Sequence, residues 1–194
     1  MRRAKIEEQN RLMMRRQREF RMAADVVTDA WMTFAEVQAA AVIGSVAKLF
    51  WKDVPRFREF RHQGIEVWHE CGDLDLALWL DSQARLGALR RATSNALRAA
   101  FEAGTGVSIV DHQLDVFLIE PGSDRYLGRL CSFNQCPKGK RDCLVAGCGA
   151  IPFNKRIAEF SPHVDLLAPA SYAMLYQRGA GRLRSALDLP TPGA

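Results

Sequence analysis

The chain has no apolar run approaching the 18 residues of a membrane-spanning helix, no internal repeat and no low-complexity tract. Its Arg-rich start carries Glu7, Glu8 and Glu19 and lacks an apolar central region, so it does not read as a secretory signal. A cytoplasmic location without membrane partners is therefore expected. Its histidines are few, and His62, His69 and His163 show no metal-ligand spacing; His112 reads as a surface residue. Its cysteines lack Cys-x2-Cys pairs. What remains is 194 residues at 48% hydrophobic, enough for one core-bearing domain with a small appendage.

Charge is unevenly distributed. Residues 1–22 hold eight Lys/Arg and three Glu, while the rest of the chain balances nineteen basic against nineteen acidic residues. The net charge of +5 therefore belongs to a terminal arm. Such an arm suits RNA or an acidic partner, or a solvated helix carrying spare charge. Only Phe20 is interleaved for base stacking, which weakens the nucleic-acid reading.

Hydrophobic periodicity predicts helix over 4–38, with a break near Ala23–Asp25 where the charge run stops. A strand is expected at 39–44 and a short helix from Ser45. The segment Trp51–His62 mixes basic and aromatic residues around Pro55 and reads as a loop or short helix. Residues 65–68 form a short strand candidate. Asp81 or Ser82 is expected to cap a helix over 83–103, with Leu86, Leu89, Thr93, Leu97, Ala100 and Phe101 inward and Gly104 ending it. A strand over 107–119, a turn at 121–124, a helix from Pro169 and a frayed tail from Leu187 complete the reading. The expected class is α/β (α+β), a small mixed sheet flanked by helices.

The chemistry concentrates in two strand-like runs. In Gly72-Asp73-Leu74-Asp75-Leu76-Ala77-Leu78-Trp79-Leu80 the leucines recur with period two, which places Asp73 and Asp75 on the opposite face, roughly 7 Å apart. Asp115 stands in the same relation to Leu114, Val116 and Leu118. Carboxylates beside a core need a counter-charge, and three aimed at one point suit a hard cation such as Mg²⁺ or Mn²⁺.

An apolar strand ending in Gly44-Ser45, then Asp-x-Asp on a strand, then one Asp on another strand resembles the nucleotidyltransferase superfamily, in its minimal, DNA polymerase beta-like form. The resemblance covers residues 39–119. The 27 residues between Ser45 and Asp73 exceed what compact members place there. The resemblance implies that Asp73, Asp75 and Asp115 hold catalytic Mg²⁺. It implies that Gly44, Ser45 and Lys48 bind the triphosphate, with ATP as the expected nucleotide.

Cys131, Cys136, Cys143 and Cys148 fall within eighteen residues as Cys-x4-Cys-x6-Cys-x4-Cys. Without a secretory signal, disulfides are disfavoured. Four thiolates suit a structural Zn²⁺ knuckle. Free buried thiols and an iron–sulfur cluster are the alternatives. Lys138, Lys140 and Arg141 share that loop. The organisation expected is a basic helical arm (1–24), a nucleotidyltransferase-like core (25–127), a cysteine-rich zinc loop (128–155) and a C-terminal helical segment (156–194). The function expected is metal-dependent transfer of a nucleoside monophosphate from a triphosphate to a hydroxyl. The alternative is a zinc-bearing nucleic-acid or protein interaction module on the same scaffold.

Overall fold

Alternating leucines decide the architecture. In the computed structural model, which describes residues 3–48, 58, 62–64, 72–134, 147–157, 160, 167–168 and 172–191, they line one face of a seven-stranded mixed sheet. The strands are β1 (Val37–Ile43), β2 (Leu74–Leu80), β3 (Leu114–Ile119), β4 (Tyr126–Leu130), β5 (Asn154–Lys155), β6 (Tyr172–Gln177) and β7 (Gly181–Arg182). Their order across the sheet is β5-β4-β3-β2-β1-β6-β7. Among the described residues, only β2 and β3 run parallel and every other pair is antiparallel. The helices described over their whole length include α1 (Arg3–Trp31), the four-residue α2 (Gly44–Ala47) and α3 (Leu86–Glu102). A parallel pair needs a crossover, and α3 supplies it between β2 and β3.

The helices cover the leucine face. Phe20, Ala23, Ala24, Val27 and Trp31 of α1 pack with Leu86, Leu89 and Leu97 of α3 over Leu74, Leu76, Leu78, Leu114, Val116 and Leu118. Burying side chains of this size contributes about 1.5–3 kcal/mol each. The two helices are tied by Trp31 Nε1, which donates to Thr93 Oγ1 at 2.9 Å. The opposite face carries a second, smaller cluster of Ala39, Ala41, Ile43, Ala77, Trp79, Phe117, Ile119 and Leu167. Phe160 stacks there on Phe117, with ring centroids 5.1 Å apart. Asp75 and Asp115 project on this second face.

Several expectations are corrected. α1 runs unbroken through Ala23–Asp25. The charge run stops there because the helix passes from solvent into the core, where Ala23 and Ala24 are fully buried. Arg21, counted with the basic arm, is buried, while Phe20 is buried as its place in the apolar stripe with Ile6 and Met13 predicts. Neither Asp81 nor Ser82 caps α3: its N-terminal flank is Arg85, with no side-chain cap. Asp81 instead binds Gln38 Nε2 and Arg178, joining the ends of β1 and β6. Phe101 is 65% exposed, not inward. Strand β3 begins only at Leu114, after a 3₁₀ turn at Asp111–Gln113.

The C-terminal segment, expected to be helical, contributes β6, β7 and a 3₁₀ turn at Ala186–Asp188. The run Tyr172-Ala173-Met174-Leu175-Tyr176 is apolar at every position, so its period could not be read. It is a strand covered on both faces, paired with β1. The tail is docked and not frayed through Pro190: Ala186 and Leu189 are buried. The end of α3 follows expectation, with Gly104 at φ +67° and the amides of Gly104 and Thr105 returning to Phe101 O and Ala100 O. The expectations for 51–57, 65–68, His69, His163, the start of the helix at Pro169, and Cys71, which the sequence reads as a small apolar residue packed beside the Asp-bearing strand, lie outside the described residues. Among the described residues, no helix is long and apolar enough to cross a membrane.

Candidate metal centre

Parallel pairing of β2 with β3 sets Asp75 opposite Asp115 in register, and antiparallel pairing of β1 sets Ile43 opposite Asp75. Period two sends Leu74, Leu76, Leu114 and Val116 to the helix-covered face, so both aspartates emerge on the other. Asp73 precedes β2 and is exposed, while Asp75 and Asp115 are half-buried. The three carboxylates offer one oxygen each within 4.8 Å of one another.

The electrostatics are those of a site short of positive charge. Burial, then the nearby charges of Asp73 and Asp115, lift the Asp75 carboxyl to about 7; Arg129 opposes them. Asp115 is also raised by burial, against the pull of the Arg129 guanidinium, with Asp73 pushing it up and Lys155 drawing it down. Arg129 Nη1 donates to Asp115 Oδ2 at 2.6 Å. Three acids therefore share one direct cationic contact among the described residues. A divalent ion would relieve the repulsion, and all-oxygen ligation suits Mg²⁺ or Mn²⁺.

Gly44 sits against this cluster. Its φ is +69°, and a Cβ built there would lie 2.7 Å from Asp75 Oδ2. Any side chain at position 44 would strike the carboxylate, and the backbone angle favours glycine as well. Ser45 follows, half-buried in α2, and Lys48 is exposed just beyond. The turn is held from beneath by α1: Gln17 Nε2 donates to Lys48 O at 2.8 Å and Arg21 Nε to Val46 O at 3.2 Å. The long spacer to Asp73 thus leaves Gly44 beside Asp75, because strand pairing and not sequence distance sets their separation.

Of the four cysteines, Cys131 and Cys148 are described and neither is in a disulfide. The Cys131 amide donates to Phe153 O at 2.7 Å, closing the base of the loop. Cys136, Cys143, Lys138, Lys140 and Arg141 lie outside the described residues. The exposed Arg11, Arg15 and Arg18 are on α1, the helix that covers the leucine face, away from the acids.

Sequence reasoning missed Arg129, Lys155 and the strands that carry them. In Tyr126-Leu127-Gly128-Arg129-Leu130 both Leu127 and Leu130 pack on the helix-covered side, three residues apart. A register shift opposite Leu118/Ile119 breaks the period there. The usable signal was the unassigned Arg in a short run after the Pro121–Asp124 turn. Tyr126, on the same strand, has its hydroxyl pushed up to about 12, chiefly by burial, and finds no hydrogen-bond partner among the described residues.

No protein-family model, no curated protein and no solved structure matches this chain.

Proposed function

We propose that the protein is a metal-dependent nucleotidyltransferase, moving a nucleoside monophosphate from a nucleoside triphosphate, ATP in the first instance, to a hydroxyl acceptor. The observation that carries this reading is the convergence of Asp73, Asp75 and Asp115 within 4.8 Å, with Gly44 packed against Asp75. The order of elements adds support: a strand ending in Gly-Ser lies antiparallel to the Asp-x-Asp strand, which is parallel to the strand bearing the third acid. The order of these elements along the chain is the one that carries the resemblance to the nucleotidyltransferase superfamily.

In the reaction, the acceptor oxygen forms a bond to the α-phosphorus while the bond to the bridging oxygen breaks, releasing pyrophosphate. The acceptor proton leaves to a base. Asp73, Asp75 and Asp115 would hold the divalent ions, whose chemistry is to stabilise charge on the entering and leaving oxygens. Asp115, raised by burial and steadied by Arg129, is suited to receive the acceptor proton. Gly44, whose missing side chain makes room for Asp75, and Ser45, which supplies a hydroxyl donor, would meet the triphosphate at this turn. Lys48 can offer a mobile positive charge to the leaving pyrophosphate. Cys131, Cys136, Cys143 and Cys148 are proposed to bind a structural zinc that fixes the loop beyond β4.

The test is incorporation of label from α-³²P-ATP into candidate acceptors with Mg²⁺ or Mn²⁺. Wild-type protein is expected to label an acceptor and release pyrophosphate, and Asp73→Asn/Asp75→Asn to lose at least about a thousandfold in rate. Equal labelling by the two proteins, or failure of wild-type protein to bind a triphosphate with either metal, would refute the reading. About one zinc per chain by elemental analysis, lost in Cys131→Ser/Cys148→Ser, is the expected outcome for the loop.

A further inference from the structure

Five neighbouring strands carry a row of chemically distinct residues on one face. It runs from Gly44 at the end of β1, through Asp75 on β2 and Asp115 on β3, to Arg129 on β4 and Lys155 on β5. At about 4.8 Å between strands the row spans about 19 Å. Arg129 lies in register with Phe117, whose ring is on the acid-bearing face, and Lys155 lies in register with Arg129. Cross-strand partners share a face, so both cations flank the carboxylates on the side away from Gly44.

Among the described residues, the two cations are not both matched. Like charges directly opposite across a strand pair are destabilising. Arg129 is answered by Asp115, but the Lys155 side chain makes no hydrogen bond or ion pair with another described residue. Its charge reaches Asp115 only at longer range. Once divalent ions draw on Asp115, the Arg129–Lys155 pair is left with surplus positive charge at the edge of the sheet.

We propose that Arg129 and Lys155 form a seat for a phosphate group of the acceptor, making this site select an anionic acceptor over a cationic one. The inference rests on the nucleotidyl-transfer reading, which puts the triphosphate at the Gly44 end. Entering and leaving oxygens lie in line on opposite sides of the transferred phosphorus. The acceptor therefore approaches from the end of the row opposite Gly44, where the cations stand. The phosphate could belong to the last linkage of a polynucleotide or to a small phosphorylated molecule; the chemistry of the seat is the same.

The experiment uses the full chain with Mn²⁺ and two probes, a fluorescent single-stranded oligoribonucleotide with a free 3′-hydroxyl and, as competitor, a nucleoside 5′-monophosphate. Wild-type protein is compared with Lys155→Glu and with Arg129→Gln, each checked for folding by its thermal melt. Metal-dependent binding of a non-hydrolysable triphosphate is measured in parallel. Lys155→Glu is expected to weaken the phosphate probe about tenfold, lower the slope of log K against log salt by about 0.7, and leave triphosphate binding within about twofold. Arg129→Gln should weaken the same probe. Displacement by the monophosphate at comparable concentration assigns the seat to a single phosphate, and resistance to it assigns the seat to a polynucleotide. Unchanged probe affinity in Lys155→Glu, no binding of either probe by wild-type protein, or a loss confined to the triphosphate would overturn the proposal. Failure of wild-type protein to bind the triphosphate refutes the parent reading instead, and is distinguished by the parallel measurement.

Discussion

Arg21 and Asp75 are both charged side chains withdrawn from water, and the molecule treats them in opposite ways. Arg21, on α1, is 1% exposed and surrounded by acceptors. It donates to Leu189 O at 2.7 Å, Pro190 O at 3.0 Å, Val46 O at 3.2 Å and Lys48 O at 3.4 Å. Its neighbour along the helix, Asp25, pairs with Arg182 and accepts from the Ser185 hydroxyl and the Ala186 amide. Asp75 meets two more carboxylates and is half-buried beside them. Charges that serve the fold are matched locally, because an unmatched buried charge is costly. The acidic corner keeps its repulsion, which is a reason to look for a cation there and not for a structural role.

The contrast can be broken from either side. The largest effect is expected at the matched end. Arg21→Met takes a donor from four carbonyls, of which Lys48 O keeps only Gln17, and unpins the tail from α1, so a loss of about 3 kcal/mol or more is expected in urea denaturation. Next comes Gly44→Ala, which adds a Cβ both at a left-handed backbone angle and against the Asp75 carboxylate. It should cost about 1–3 kcal/mol by the same measurement and displace Asp75 from the cluster. A smaller change of opposite sign is expected at the unmatched end. Asp75→Asn removes one of three like charges at nearly constant volume and should stabilise the metal-free protein by about 1 kcal/mol at pH 8, seen in melts with EDTA.

The pH dependence sharpens the same point. The folded-state value of Asp75, about 7, lies above its ordinary 3.8, so between those values the folded state binds the extra proton. Its contribution to stability is fully present below about pH 4 and is lost as pH rises toward and past 7. Metal-free protein should therefore lose stability from this group between about pH 5 and pH 8, and Asp75→Asn should flatten the fall. Added Mn²⁺ should raise the melting temperature more at pH 8 than at pH 5, because ligand carboxylates must be ionised. An equal rise at both pH values would show that Asp75 is not a ligand.

The acids were legible in the sequence because period-two leucines fix which way Asp73, Asp75 and Asp115 face. Their meeting was only an inference, since register between β2 and β3 is set by the whole sheet. The inner face of α3 was readable from its 3.6-residue stripe, apart from Phe101, which lies in the last turn of the helix and faces solvent. β6 was misread because an apolar run covered on both faces carries no period. Arg129 and Lys155 were hidden by a register shift in β4 and by the two-residue length of β5. The role of Arg21 was invisible for a different reason: its carbonyl partners come from residues 25 to 169 positions away.

The central claim is that the acidic corner is a divalent-cation site, and calorimetric titration of Mn²⁺ into the whole protein tests it most directly. Wild-type protein is expected to bind Mn²⁺ with release of protons near pH 7, more tightly at pH 8 than at pH 6, with binding abolished in Asp75→Asn and retained in Arg21→Lys. Binding of equal strength in wild-type protein and Asp75→Asn, or no binding by wild-type protein at pH 8, would contradict it.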